Sequence, residues 1–302
     1  MNDHELSLTF ILLLTGLVLI ATMLIKLVLE RIKVPPVIGF LLLGFLLRLG
    51  DSRWGYLSPE VERIFEFLAE VGIFTLLFRA GLENNLQGLI SQLRRASVIW
   101  IGDITVSGLL GFSAAFFLLK LTLIPSLIIA TAMTATSVGV SLAVWQEKGA
   151  TRSANGELLL DVAELDDISA VVLMALLFSL VPVLQAGSDS GLLVPLATTS
   201  AVFGLKLLGF SMLCYLFASF AEHPIVHFFR RLDPPPLPMV TVMGISLVIA
   251  ATAGLLGFSV AIGAFFAGLV FSRDPEAVKM EASFMPLYQF FTPFFFIGIG
   301  LQ

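Results

Sequence analysis

Long apolar runs alternate with short charged connections along the whole chain. Ten spans are predicted, at residues 7–29, 35–49, 62–82, 94–118, 123–146, 155–184, 193–220, 238–254, 256–272 and 284–302. Runs of about 20 apolar residues are long enough to cross a ~30 Å hydrocarbon core as helices, which satisfy their own backbone groups there. The pattern predicts an all-α, polytopic membrane protein. Only Gly254 to Gly257 separates the eighth and ninth spans. Between the seventh and eighth, Asp233-Pro-Pro-Pro-Leu-Pro238 cannot be regular helix and reads as a stiff connection.

Two adjacent spans break the pattern. The fifth is interrupted by Thr134, Thr136, Ser137, Gly139 and Ser141, and the sixth carries Asp161, Glu164, Asp166 and Asp167. An acid at mid-bilayer costs from about 3 to more than about 10 kcal/mol, so such residues mark ion or proton paths. On a helix Asp161, Glu164 and Asp167 fall within an arc of about 120°, and Asp166 lies about 100° from Asp167. Asp166 and Asp167 stand about 17 Å along a helix begun at Asn155, near the midplane. Two close carboxylates do not both ionise cheaply, so a proton and a cation compete for the same oxygens. That competition is the minimum machinery of an antiporter. Asp161, two turns in, is read equally as a site residue and as a peripheral or structural acid.

The stretch from Thr134 to Gly139 is a poor continuous helix, being rich in hydroxyls, Gly and β-branched residues. Broken membrane helices offer carbonyl and amide groups to ions, and they occur where they line a site. The alternative is that small residues there allow close helix packing. Asp103, a few turns into the fourth span, is a secondary candidate; its bland reading is an interfacial acid. Glu70 and Arg79 are too far apart in the third span to pair with each other. Lys206 is alone in the seventh and would snorkel or pair with an acid elsewhere. Glu222, His223, His227, Arg230 and Arg231 read as a solvated inner-surface cluster, with pH sensing as the minority option.

Composition agrees with the spans. The chain is 58% hydrophobic and 13% charged, against about 25% charge in a soluble domain, and its mean hydropathy is +0.99. A single cysteine, Cys214, rules out an intrachain disulfide and gives no metal spacing. Asp3 and Glu5 precede the first run, which favours a retained helix over a signal peptide. With the N-terminus outside, eleven of the seventeen lysines and arginines fall in inner connections and four in outer ones, as the positive-inside rule requires.

A weak internal echo links Val34-Pro-Pro-Val-Ile-Gly-Phe-Leu-Leu-Leu-Gly44 to Val260-Ala-Ile-Gly-Ala-Phe-Phe-Ala-Gly268. Under the N-outside topology these helices run in opposite directions, as in an inverted-topology repeat. The chain stops abruptly after Phe294-Phe-Phe-Ile-Gly-Ile-Gly-Leu-Gln302, and a full second repeat would need about three more spans. A chain cut short of its full length is therefore expected.

Ala135-Thr-Ser-Val-Gly139, Asp166-Asp167, Gly263-Ala-Phe-Phe-Ala-Gly268 and Pro293-Phe-Phe-Phe-Ile-Gly-Ile-Gly300 together resemble the monovalent cation:proton antiporter-2 family of sodium/proton and Kef-type potassium-efflux antiporters. The resemblance implies an inverted-repeat antiporter fold with a broken crossing helix, usually a homodimer. By it, residues 1–88 would be dimerisation helices and 89–186 the first half of an ion-transporting core. Residues 187–232 would be a linker helix and loop, and 233–302 further dimerisation helices. The second half of the core would lie beyond residue 302, as would any cytosolic C-terminal regulatory domain. Asp167 matches the family's principal ion-binding aspartate, and Asp166 the preceding acid of the sodium-type pair. Thr136 and Ser137 match the break of the crossing helix. Glu164 departs from the family, where an apolar residue is common.

The function expected is exchange of a monovalent cation, Na⁺ before K⁺ or Li⁺, for H⁺ in a cell membrane. A sodium-coupled solute symporter on a related fold, and a cation channel or ion-gated regulator, are the alternatives. A channel would favour a repeated filter, and none is visible. No Walker motif appears. The partners expected are the ion, the proton and the lipid bilayer, with no nucleic acid, no cofactor and no enzymatic chemistry.

Overall fold

The computed structural model describes residues 3–32, 34–83, 86–135, 154–186, 193–221, 224, 238–272 and 277–302. Among them are ten α-helices, one for each predicted span, and no strand. They are α1 (Asp3–Arg31), α2 (Pro36–Trp54), α3 (Pro59–Glu83), α4 (Leu86–Ser113) and α5 (Leu123–Met133). Then come α6 (Ala154–Ala186), α7 (Leu193–Leu216), α8 (Pro238–Leu255), α9 (Val260–Phe271) and α10 (Ala277–Leu301). Short π-helical turns, Ala114–Leu118 and Phe217–Ala221, extend α4 and α7.

Among the described residues, five helices are long and apolar enough to cross a membrane, over Thr9–Arg31, Ala96–Leu118, Ile168–Gln185, Val194–Ala221 and Phe284–Leu301. Their outward faces carry large apolar side chains, such as Leu12, Leu13, Leu17 and Ile20 on α1. That inverts the soluble arrangement and suits hydrocarbon on the outside. Pro182 sits inside α6 and Pro286 and Pro293 inside α10; packed membrane helices tolerate such prolines.

The chain forms two compact units. The first, residues 1–80 and 276–302, holds α1, α2, most of α3, and α10. Val18, Val61, Phe65, Phe294 and Ile297 make its core. Here α2 and α10 meet backbone to backbone: a Cβ on Gly44 would fall 2.9 Å from the Gly300 Cα. Glycine is needed at that crossing because any side chain would drive the two helices apart.

The second unit, residues 81–275, holds the end of α3 and α4 to α9. A Cβ on Gly81 of α3 would fall 2.9 Å from the Gly268 Cα of α9. The two ends of the sequence echo, Gly44 and Gly268, thus serve the same purpose. Each seats a glycine of another helix, and those glycines open the similar tripeptides Gly81-Leu82-Glu83 and Gly300-Leu301-Gln302.

In this second unit α8 and α9 form a hairpin turned at Gly257, where φ is +88° and a side chain would be strained. Ser259 caps α9, its hydroxyl accepting from the Ile262 N–H. Nine of the twelve residues of α9 are buried. From α7, Phe203 and Phe210 pack on Phe258 in the turn, with ring centroids 5.4 and 6.0 Å apart. Lys206, between those phenylalanines, donates from Nζ to the Leu256 carbonyl at 2.9 Å. The cation at mid-helix therefore meets a backbone carbonyl just past the end of α8.

Candidate functional site

Three helices of the second unit, α4, α5 and α6, pack on one another in every pairing. Because α6 has 33 residues, about 50 Å of helix, part of it extends beyond an apolar layer. Asp166 and Asp167 stand twelve and thirteen residues after Ala154, the first residue of this helix.

Val162, Ala163, Asp166 and Ser169 are the buried positions around that point, at 9%, 4%, 1% and 9% exposure. Their spacing of one, four and seven residues makes one stripe on a helix. Asp166 is the one buried carboxylate among the described side chains. Asp161, Glu164 and Asp167 are helical residues of α6, and by register Asp167 lies about 100° round from Asp166. The placement of these three side chains lies outside the described residues.

The stripe meets α4. Trp100 Nε1 donates to Ser169 Oγ at 3.1 Å, and the Ser169 hydroxyl donates to the Asp166 backbone carbonyl at 2.9 Å. Along α4, Trp100, Asp103, Ser107 and Gly111 follow at intervals of three and four, which places them on one face. At Gly111 that face touches α5, where a Cβ would fall 3.0 Å from the Met133 Cβ. Half-buried Asp103 therefore has its register between the contact with α6 and the contact with α5.

The helix α5 is short, with eleven residues, about 16 Å. It ends at Met133, inside the predicted fifth span. Thr134 is 3% exposed; its N–H and its hydroxyl both donate to the Thr131 carbonyl, at 3.2 and 2.7 Å. Sharing one carbonyl three residues back tightens the last turn and stops the α-helical ladder. The helix thus ends at the first hydroxyl residue of the predicted break. Thr136, Ser137 and the remainder of that break lie outside the described residues.

Other charged groups sit elsewhere. Arg79 of α3 stacks over the Tyr288 ring at 4.5 Å, a cation–π contact, and its Nη1 lies 3.9 Å from Met285 Sδ. A cavity of about 470 Å³ in the first unit is lined by Glu62, Glu66 and Glu70 of α3 and by Arg48 of α2, among others. Those glutamates are exposed, and Glu62 pairs with Arg48 at 2.7 Å. The cavity lacks the desolvation that distinguishes Asp166, so the acids of α6 remain the better candidate site.

The pattern of the sodium/hydrogen exchanger transmembrane family matches residues 16–302. The chain is 25% identical over 302 residues to the high-affinity Na⁺/H⁺ antiporter NhaS3 of Synechocystis sp., a match covering 90% of this chain and 64% of that protein. It is 27% identical over 289 residues to a Na⁺/H⁺ antiporter of Enterococcus hirae, covering 95% and 71%. The chain thus spans about two thirds of the length of these relatives, 64% and 71%. The solved structure of the sodium proton antiporter MjNhaP1 from Methanocaldococcus jannaschii superposes with a TM-score of 0.61 at 18% identity, over 98% of this chain and 71% of that one. The fold is shared with that antiporter. Helix pattern, fold and a family match running from the first helix to the last residue agree: the chain is a multi-pass membrane protein of the sodium/hydrogen exchanger family.

Proposed function

We propose that the protein is a secondary antiporter that exchanges a monovalent cation, Na⁺ in the first place, for H⁺, and that the acids of α6 carry the exchange. The observation that carries this reading is Asp166, a carboxylate 1% exposed in a membrane helix that packs against both α4 and the short α5. A buried acid in such a helix has a reason to bind a cation or a proton. A second acid next to it makes the two ligands compete. Asp167 is the principal ion-binding residue in this proposal. Asp166 is its partner, and Thr136 and Ser137 supply oxygens from the end of the crossing helix. Glu164, Asp161 and Asp103 are secondary groups along the path. Both named relatives are Na⁺/H⁺ antiporters by description, which supports Na⁺ before K⁺ or Li⁺. In the same proposal the N-terminus is outside, and the protein works as a homodimer joined through residues 1–88 and 233–302.

The test is exchange by the complete protein in liposomes, followed with a pH-sensitive dye under a cation gradient alone. Asp167→Asn removes one charge and little volume, so it is expected to abolish exchange with normal insertion. Asp166→Asn is expected to change ion selectivity or electrogenicity more than turnover. Near-normal exchange by Asp167→Asn would sink the proposal.

A further inference from the structure

The backbone beside the acid pair is held from a neighbouring helix. The indole N–H of Trp100 only donates, whereas a serine hydroxyl has one hydrogen and two acceptor lone pairs. With Trp100 donating to Ser169 Oγ, the Ser169 proton is left to the Asp166 carbonyl, and the hydrogen bonds run in one direction from α4 into α6. Ser169 is 9% exposed and Asp166 1%, so water competes little and the two bonds polarise each other.

A serine that bonds back to a carbonyl one turn earlier loosens or bends its helix at that turn. Here the receiving carbonyl belongs to Asp166 itself. The bond from Trp100 spans 69 residues of sequence, so it ties this turn of α6 to the position of α4. Rotation of α6 about its own axis would stretch the bond before it disturbed the apolar contacts, because hydrogen bonds tolerate less misalignment.

We propose that Trp100 is a positioning residue for the acid pair. Acting through Ser169, it sets the rotation and local bend of α6 at Asp166 and Asp167, and so the spacing of the oxygens offered to the cation. This rests on the reading of that pair as the exchange site. Trp100 itself touches neither ion nor proton.

The experiment uses the complete protein in liposomes, driven by Na⁺ or K⁺, whichever the unaltered protein exchanges. Trp100→Phe keeps a ring and removes the N–H. The apparent KM for the cation is expected to rise about 2- to 10-fold, the range one hydrogen bond supports. Maximal rate should stay within about twofold and folded yield should not change. Ser169→Ala is expected to give the same shift, and the double variant no more than either alone. Ser169→Thr, which keeps the hydroxyl, is expected to retain the original KM.

Unaltered KM in both Trp100→Phe and Ser169→Ala overturns the proposal. So do additive shifts, or losses confined to folded yield. If Trp100→Phe fails to fold, the Ser169→Ala and Ser169→Thr pair carries the same comparison. The indole ¹⁵N resonance of Trp100 is expected to move in Ser169→Ala whichever acid binds the ion, and an unmoved resonance also overturns the proposal. Exchange surviving in Asp167→Asn instead sinks the site reading, so the two failures are told apart.

Discussion

The Gly300 Cα lies 2.9 Å from where a Cβ on Gly44 would stand, and the Gly44 Cα lies 3.0 Å from the same point on Gly300. Two helices from opposite ends of the chain are seated there with no side chain between them. Gly44→Ala and Gly300→Ala are each expected to destabilise the protein by about 1–3 kcal/mol, since backbone cannot give way as a side chain can. Gly16→Ala in α1, with nothing within 4 Å of the added carbon, should be neutral or stabilising by up to about 1 kcal/mol. Thermal unfolding in detergent measures all three. Equal stability of Gly44→Ala and Gly16→Ala would mean that the helices are not seated this way.

Lys206→Met keeps the length of the side chain and removes its donor. The Leu256 carbonyl then loses the bond donated by the lysine, a loss of about 1 kcal/mol, and the melting temperature should fall by about 2–4 °C. Lys206→Arg should recover most of it. If Lys206→Met melts at the original temperature, the lysine contributes nothing to the α8–α9 turn.

Thr136→Val and Ser137→Ala remove hydroxyls with little change of volume. As part of the site, they are expected to raise the apparent KM for the cation more than they reduce folded yield. Kinetics left unaltered in both would favour close helix packing as the purpose of these residues.

Sidedness is checked by single cysteines. Cys214 is 4% exposed, so background labelling should be low. A cysteine at Ser58, between α2 and α3, is expected to react only from outside, and one at Pro235 only from the cytoplasm. The opposite pattern would reverse the N-outside topology.

The helices were legible because the apolar runs are long and their interruptions chemical. Thr134 begins the hydroxyl-rich stretch, and α5 stops one residue before it. Gly254 to Gly257 suggested a tight connection, and Gly257 takes the positive φ that turns it. What escaped the sequence is contact between distant residues. Nothing near Trp100 announces Ser169, and Lys206 met a carbonyl, which every residue carries and no pattern singles out. The echo between Gly44 and Gly268 could be seen, but not that each faces a further glycine. The burial of Asp166 was hidden for a different reason: hydropathy reports which segments enter the membrane and not which way one acid on a helix faces.

Lys206 and its acceptor are fifty residues apart in the chain, and that separation is also an interval of time. At about 5–20 residues per second, the ribosome makes the lysine roughly 3–10 s before it makes Leu256. During that interval α7 must hold a cation in or beside the membrane with no α8–α9 turn to receive it. Its neighbours Phe203, Phe210 and Leu205 must secure the helix alone. The contact that steadies the finished hairpin is therefore one that α7 cannot have when it is first made.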